Sequence, residues 1–240
     1  MFFLKNLFFI LITGVFICFN INANEKDLFW DLEIGVGIQK SGNESDNALD
    51  VNNVPNSSVS TSPHNDSDFI SSLGLSYNFN FKNNIRLGIG LDYYLSDIDM
   101  GGPTTLDSSG YSQTVQTELK DLYVIYLKPQ MIINDNNSTY LKLGYAGSDL
   151  DYSDSDPEYR SHNKTSLDGY FIGTGFKSLI NNNLYGFIEV NYFKFNNDTY
   201  GGNYNNGSPI NFDVDAKIDA TNLKLGLGYQ FWLTFNHSLV

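Results

Sequence analysis

One cysteine, Cys18, is all the chain holds. It falls in an apolar run from Leu7 to Phe19, which follows Lys5 and precedes Ile21-Asn22-Ala23. That order reads as a secretory signal over residues 1–23, cut after Ala23. Ile17 stands where a lipid-attachment signal wants Gly or Ala, which argues against lipidation of Cys18. Cleavage leaves about 217 residues, 24–240, as one domain without a thiol. Disulfide staples and thiolate zinc sites are thereby excluded. After the leader no stretch reaches the eighteen or so continuous apolar residues of a membrane helix, so any crossing of a bilayer must be made by strands. Histidine is scarce as well. His64 and His162 fall in polar connections and His237 in the C-terminal tail, where nothing holds a general base in place, so no enzyme is expected. Gly35 and Gly37 lie mid-strand with no helix after them, so no nucleotide loop is expected. No cofactor and no nucleic-acid partner are expected.

What the chain does have is alternation of period two. Trp30, Leu32, Ile34, Val36 and Ile38 oppose Asp31, Glu33, Gly35, Gly37 and Gln39. Leu73, Leu75, Tyr77, Phe79 and Phe81 oppose Ser72, Gly74, Ser76, Asn78 and Asn80. Ile85, Leu87, Ile89, Leu91 and Tyr93 oppose Arg86, Gly88, Gly90, Asp92 and Tyr94. A fourth strand, about Val115 to Ile133, sets Tyr123, Ile125, Leu127 and Met131 against Glu118, Lys120, Lys128 and Gln130, with Pro129 near its end or at a bulge. Leu141, Leu143 and Tyr145 alternate with Lys142, Gly144 and Ala146. Leu167 to Leu179 and Leu184 to Phe195 are aromatic on both faces, with Gly173, Gly175, Lys177, Glu189 and Asn191 assigned inward. Leu223, Leu225, Leu227, Tyr229 and Phe231 oppose Lys224, Gly226, Gly228 and Gln230.

Three connections are short and Asn-rich, namely Lys82-Asn83-Asn84, Asn134 to Ser138 and Ile180 to Asn183. Four are long: Ser41 to Asp68, Ser96 to Gln113, Ser148 to Thr165 and Asn196 to Lys217. Tight turns on one side and long loops on the other characterise membrane barrels. The expected fold is all-β, a closed antiparallel up-and-down eight-stranded transmembrane β-barrel with short periplasmic turns and long extracellular loops. A secreted lipocalin-like barrel would show the same alternation with its apolar face inward. Against it, the polar faces are rich in Gly and carry charges of both signs, as a narrow packed lumen would. Trp30 and Trp232 also fall at the expected periplasmic interface, where amphipathic rings settle.

The stretch Lys224-Leu225-Gly226-Leu227-Gly228-Tyr229-Gln230-Phe231 resembles the terminal-strand signal read by the outer-membrane assembly machinery, with Lys224, Gly226, Tyr229 and Phe231 in its marked positions. With the strand pattern, the chain resembles the eight-stranded outer-membrane β-barrel family of OmpA/OmpX-type transmembrane domains. The resemblance implies a Gram-negative outer membrane, surrounding lipid and assembly machinery as partners, and a monomer. The chain departs from the family in the nine residues Trp232 to Val240 that follow Phe231, and it has no room for a periplasmic peptidoglycan-binding domain.

Charge is distributed unevenly. The whole chain carries −13, and the four long connections hold sixteen acids against Arg160, Lys164 and Lys217. Such a surface suits a divalent cation or basic partner, or serves solubility alone. Its densest part contributes Asp149, Asp151, Asp154, Asp156 and Glu158 as candidate oxygen ligands for a hard cation, without the spacing of an EF-hand. Inside, Glu33, Arg86, Asp92, Glu118, Lys120, Lys128, Lys142, Lys177, Glu189 and Lys224 are expected to pair, because an unpartnered buried charge is costly. Such a network locks the barrel or gates a narrow pore. The expected role is a surface structural or interaction protein, in adhesion or envelope integrity, acting through acidic loops. The alternatives are a small-solute or ion channel and, further off, an envelope-lipid enzyme.

Overall fold

Apolar residues at every second position cannot all be buried by one eight-stranded sheet unless the sheet closes on itself or faces lipid, and this chain does both. The computed structural model describes residues 28–50, 64–82, 84–100, 104–108, 111–154, 163–196, 198–205 and 209–231. The leader, Trp232 and the rest of the tail lie outside the described residues. The strands are β1 (Leu28–Asp50), β2 (His64–Lys82), β3 (Ile85–Tyr94), β4 (Ile98–Asp99), β5 (Thr104–Ser108), β6 (Tyr111–Ile132), β7 (Asn137–Asp154), β8 (Asn163–Leu179), β9 (Leu184–Phe195), β10 (Asp198–Asn205) and β11 (Pro209–Phe231).

Eight of them form the wall, each antiparallel to its neighbours in the order β1-β2-β3-β6-β7-β8-β9-β11, and β1 pairs with β11 to close it. Following paired residues around the wall from Asp31 leads through Ser76, Gly90, Tyr126, Gly144, Phe171, Phe193 and Ala220 to Ser41, ten residues further along β1. A stagger of ten over eight strands tilts each by roughly 40° and leaves an interior just wide enough for side chains.

The outward face is apolar. Leu32, Ile34, Val36, Leu127, Leu143, Ile172, Ile188 and Leu225 are all exposed on the wall, Ile38 and Phe69 by 62% and 66%. A continuous belt of this kind is a lipid face rather than a water face. The inward face carries the polar set: Asp31, Glu33, Asn78, Asp92, Lys128, Lys142, Lys177, Glu189, Asn191 and Lys224 are buried. Strand parity therefore runs as the alternation predicts, including in β8 and β9, except in β6 before Asp121.

The short turns appear at the expected places, and side chains stabilise two of them. The Asn134 carboxamide oxygen accepts from the amides of Asn136 and Asn137, and that of Asn181 accepts from Asn183 and Leu184. This is the way Asn favours turns.

The long connections differ from the expectation of loops. β1 runs to Asp50, β6 starts at Tyr111, β7 reaches Asp154, and β10 adds a short strand to the upper part of β11. Strand pairing does not end where lipid ends, because the ladder still contributes a modest net stabilisation to backbone groups in water, although only within lipid is it obligatory.

Candidate functional site

Three levels of side chains fill the barrel. At the lowest, Asp31 of β1 accepts from Lys128 Nζ at 3.1 Å, Lys177 Nζ at 3.0 Å and Asn78 Nδ2 at 3.1 Å. Lys177 also lies 3.5 Å from the Tyr185 ring centroid, a cation–π contact.

Above it, Lys142 and Lys224 join Asp92 and Glu189. Lys142 is 2.9 Å from Asp92 and 2.8 Å from Glu189, and Lys224 is 3.1 Å and 2.8 Å from the same two carboxylates. Glu33 links the levels, lying 3.5 Å from both Lys128 and Lys142. The Tyr126, Tyr140 and Tyr185 hydroxyls donate to Asp92, Glu189 and Glu33, each at 2.9 Å. Four acids thus face four lysines with no excess of either sign. The added hydroxyl donors satisfy carboxylate lone pairs that ion pairing alone would leave open.

The third level is largely apolar, bordered by buried amides of which Asn222 Nδ2 donates to Gln39 and to the Tyr94 hydroxyl and Asn191 Nδ2 donates to Asn222. The rings of Tyr94, Phe171 and Phe193 pack across the lumen, with Phe171 and Phe193 centroids 5.1 Å apart and Tyr94 and Phe193 5.8 Å apart. Ile70, Leu119, Leu122, Leu150, Leu167 and Ile218 cover them. The segment after β3 folds in over this layer and buries Ile98 and Met100 completely. It is held by Ser41 Oγ donating to the Asp99 carbonyl at 3.0 Å and by the Asp99 amide donating to Asp68.

Glycine on the inner wall makes room for these rings. A Cβ at Gly90 would stand 2.5 Å from the Tyr126 ring, at Gly175 2.4 Å from Tyr140, and at Gly228 2.2 Å from Tyr185. Each tyrosine lies flat across a strand where only hydrogen leaves space.

The structure draws together Glu33, Asp92, Lys128, Lys142, Lys177, Glu189 and Lys224, and adds Asp31. Arg86 stands apart at the periplasmic mouth, where Nε donates to Asn80 at 2.9 Å and the guanidinium lies 5.0 Å from the Phe29 ring centroid. Glu118 and Lys120 differ from the sequence expectation: they are on the outer face above the membrane. A register shift between Lys120 and Tyr123 puts Asp121 at φ 53°, a left-handed conformation Asp tolerates. The extra residue flips parity, so Leu119 points inward and its two charged neighbours outward. Lys120 pairs there with Glu118 at 3.1 Å and Asp151 at 3.0 Å. Those carboxylates raise its pKa above the ordinary lysine value. Tyr93, expected only as a lipid-facing ring, donates its hydroxyl to Asp121 at 2.6 Å and so holds the bulge.

Of the candidate cation ligands, Asp149 and Asp151 lie on β7. Asp149 accepts from Ser166 Oγ at 3.1 Å, and Asp151 is taken by Lys120. The Asp154 side chain, Asp156 and Glu158 lie outside the described residues. Among the described residues no cluster of three or more His, Cys, Asp or Glu is placed to hold a metal ion. In the terminal-strand stretch, Lys224 and Gly226 face the lumen, while Tyr229 faces lipid and Phe231, half-buried, shares its parity. Trp30 packs on Tyr77 with centroids 5.0 Å apart.

A closed wall with lipid-facing apolar residues and a charge-balanced filling defines a small outer-membrane β-barrel. The chain belongs to the outer membrane protein beta-barrel domain family, whose model matches residues 13–231. That membership places it in the outer membrane of Gram-negative bacteria. Among solved structures it is similar to the outer membrane protein OprG of Pseudomonas aeruginosa, at 15% identity and TM-score 0.53, over 85% of this chain and 96% of that one. It is also similar to Ail, the attachment invasion locus protein of Yersinia pestis solved with the heparin analogue sucrose octasulfate, at 14% identity and TM-score 0.48, over 84% and 99%. The outer membrane protease OmpT of Escherichia coli aligns at 10% identity and TM-score 0.49, over 88% and 99%. At these identities the likeness concerns the fold alone. No curated protein matches the chain.

Proposed function

We propose that this barrel is a surface interaction protein of the outer membrane, whose work is done by the acidic, strand-extended segments above the bilayer and whose lumen serves as a structural lock. The observation that carries the reading is the filling of the lumen. Every described inward lysine between the mouths is within ion-pair distance of a carboxylate, and a packed layer that includes Tyr94, Phe171, Phe193, Leu119, Ile98 and Met100 lies above them. An ion crossing the packed rings of that layer would give up most of its water for few replacement ligands, which is unfavourable. The excess negative charge lies in the segments above the barrel, where a basic partner or divalent cations would be drawn. The protein does this work as a monomer without a bound cofactor.

The test is conductance in planar bilayers together with surface display. The purified barrel is expected to give no resolved current steps, and removing residues 149–158 is expected to abolish partner or cation binding while the protein still shifts mobility on heating. Current steps that change with Lys142→Met would support the channel reading and sink this one. Binding unchanged by the deletion would remove the Asp149 to Glu158 segment from the site.

A further inference from the structure

The inward charges of the barrel carry one cation more than their ion pairs use. Lys128, Lys142, Lys177 and Lys224 are matched by Asp31, Glu33, Asp92 and Glu189. Arg86 is left over, at the periplasmic mouth.

Its surroundings show why it stays unmatched. Arg86 is the second residue of β3, half-buried on the lumen side of the wall, with Asn80 of β2 and Gln130 of β6 as its ladder partners. A guanidinium has five N–H donors in a planar fork. Nε is spent on Asn80, and the group stands beside the Phe29 ring. The other polar groups at this level are committed elsewhere: Asp31 accepts from Lys128, Lys177 and Asn78, and Gln130 Nε2 donates to Ser138 Oγ at 2.6 Å. Among the described residues no carboxylate lies within ion-pair distance of Arg86, and its Nη hydrogens have no protein acceptor. A charge that gives up part of its water without gaining a counter-ion favours an added anion.

Count and shape narrow the class of that anion. Lys128 and Lys177 are already paired, so one free guanidinium matches one negative charge, and its fork takes a planar two-oxygen group bidentately. Headgroup phosphates lie outside the wall, on the side of Trp30, whereas Arg86 faces the lumen and is reached from the periplasmic water.

We propose that the periplasmic mouth is an anion site in which Arg86, positioned by Asn80 and Phe29, takes the free carboxylate of a periplasmic peptide. This is independent of what the segments above the bilayer bind.

The chain holds two arginines, Arg86 and Arg160, so isotope-labelled arginine gives two side-chain Nε–H signals to follow by NMR in the full chain held in zwitterionic lipid nanodiscs. The probe is N-acetyl-alanyl-alanine with a free carboxylate, and the control is its C-terminal amide. The acid is expected to shift the Arg86 signal saturably, with half-saturation on the order of 1 mM, as one bidentate charge-assisted pair allows once the cost of association is met. The amide is expected to be at least ten-fold weaker, with Arg160 unmoved. Arg86→Lys keeps the charge and loses the fork. It is expected to retain the heat-shifted gel band and to weaken binding several-fold, read by saturation transfer to the peptide.

No saturable shift of Arg86, or equal shifts from acid and amide, would overturn the site. So would an Arg160 shift that matches that of Arg86, or saturation by inorganic phosphate without a response to the acid. Glu25 and Asp27 precede β1 and lie outside the described residues. Binding that emerges only after Glu25→Gln with Asp27→Asn would overturn the periplasmic partner, because the chain's own carboxylate would then fill the fork.

Discussion

Lys142→Met tests the lock directly. The Lys142 side chain has no exposure, and its ammonium lies between Asp92, Glu189 and Glu33 and 4.5 Å from the Tyr126 ring centroid. Methionine keeps the length of the chain but removes the charge, leaving four buried acids facing three lysines. Removing one partner of a buried pair costs about 3–5 kcal/mol, mostly from the charges left uncompensated. Solvent screening gives no relief at this depth, so the full range applies. Urea unfolding from lipid vesicles, followed by tryptophan fluorescence and by loss of the heat-shifted gel band, reads the loss. Adding Glu189→Gln restores balance at three against three and keeps an acceptor for Tyr140. The double variant should regain at least about 1 kcal/mol over additivity, within the coupling expected of residues sharing a network. A single-variant loss below about 1 kcal/mol, or strict additivity, would refute the lock.

Other consequences are open to the same assay. Leu225→Arg, on the lipid face at mid-wall, should cost about 2–4 kcal/mol, whereas Thr221→Arg nearer the extracellular rim should cost under about 1 kcal/mol. Equal effects would deny that this face meets hydrocarbon. Gly228→Val should force the Tyr185 ring off Glu33 and cost about 1–3 kcal/mol, with loss of the native gel band at lower urea. Ile98→Ala, which hollows the apolar layer, should cost about 2–5 kcal/mol. Thermal shift would show a smaller loss if the segment after β3 is not packed as described. Lys120, with its pKa raised, contributes stability that is complete below its unfolded value and is lost only as pH rises through the higher folded value. Lys120→Ala should therefore cost under about 1 kcal/mol and by the same amount from about pH 6 to 9, because this pair is partly exposed. A variant-to-wild-type gap that changes across that range would sink the assignment.

The alternation in β1, β2, β3 and β11 made the wall legible, since period two is the strand's own geometry and a one-residue slip would turn every apolar side chain into the lumen. Aromatic residues on both faces of β8 and β9 obscured it less than their composition suggests, because inward Phe187 and Tyr185 lie over Gly226 and Gly228 of β11 while Phe171 and Phe193 pack on each other. Asp31 belongs to the polar face of β1 by parity, yet nothing local told that Lys177, far away in the chain, would reach it. The placement of Glu118 and Lys120 was not legible: the bulge at Asp121 is one unpaired residue whose sole local trace is an Asp able to take a left-handed conformation. The apolar upper lumen escaped for a related reason, as Ile98 and Met100 sit in no strand pattern and are buried only because the segment after β3 turns inward.

By itself, then, the sequence determined the strands, their faces and the sidedness of turns and long connections, because those follow from backbone periodicity and from the separate demands of lipid and water on each side chain. Tertiary structure alone decided the stagger of ten, which acid meets which lysine and where parity breaks. Those depend on closing β11 against β1, a constraint that acts on all eight strands at once and on no single one of them.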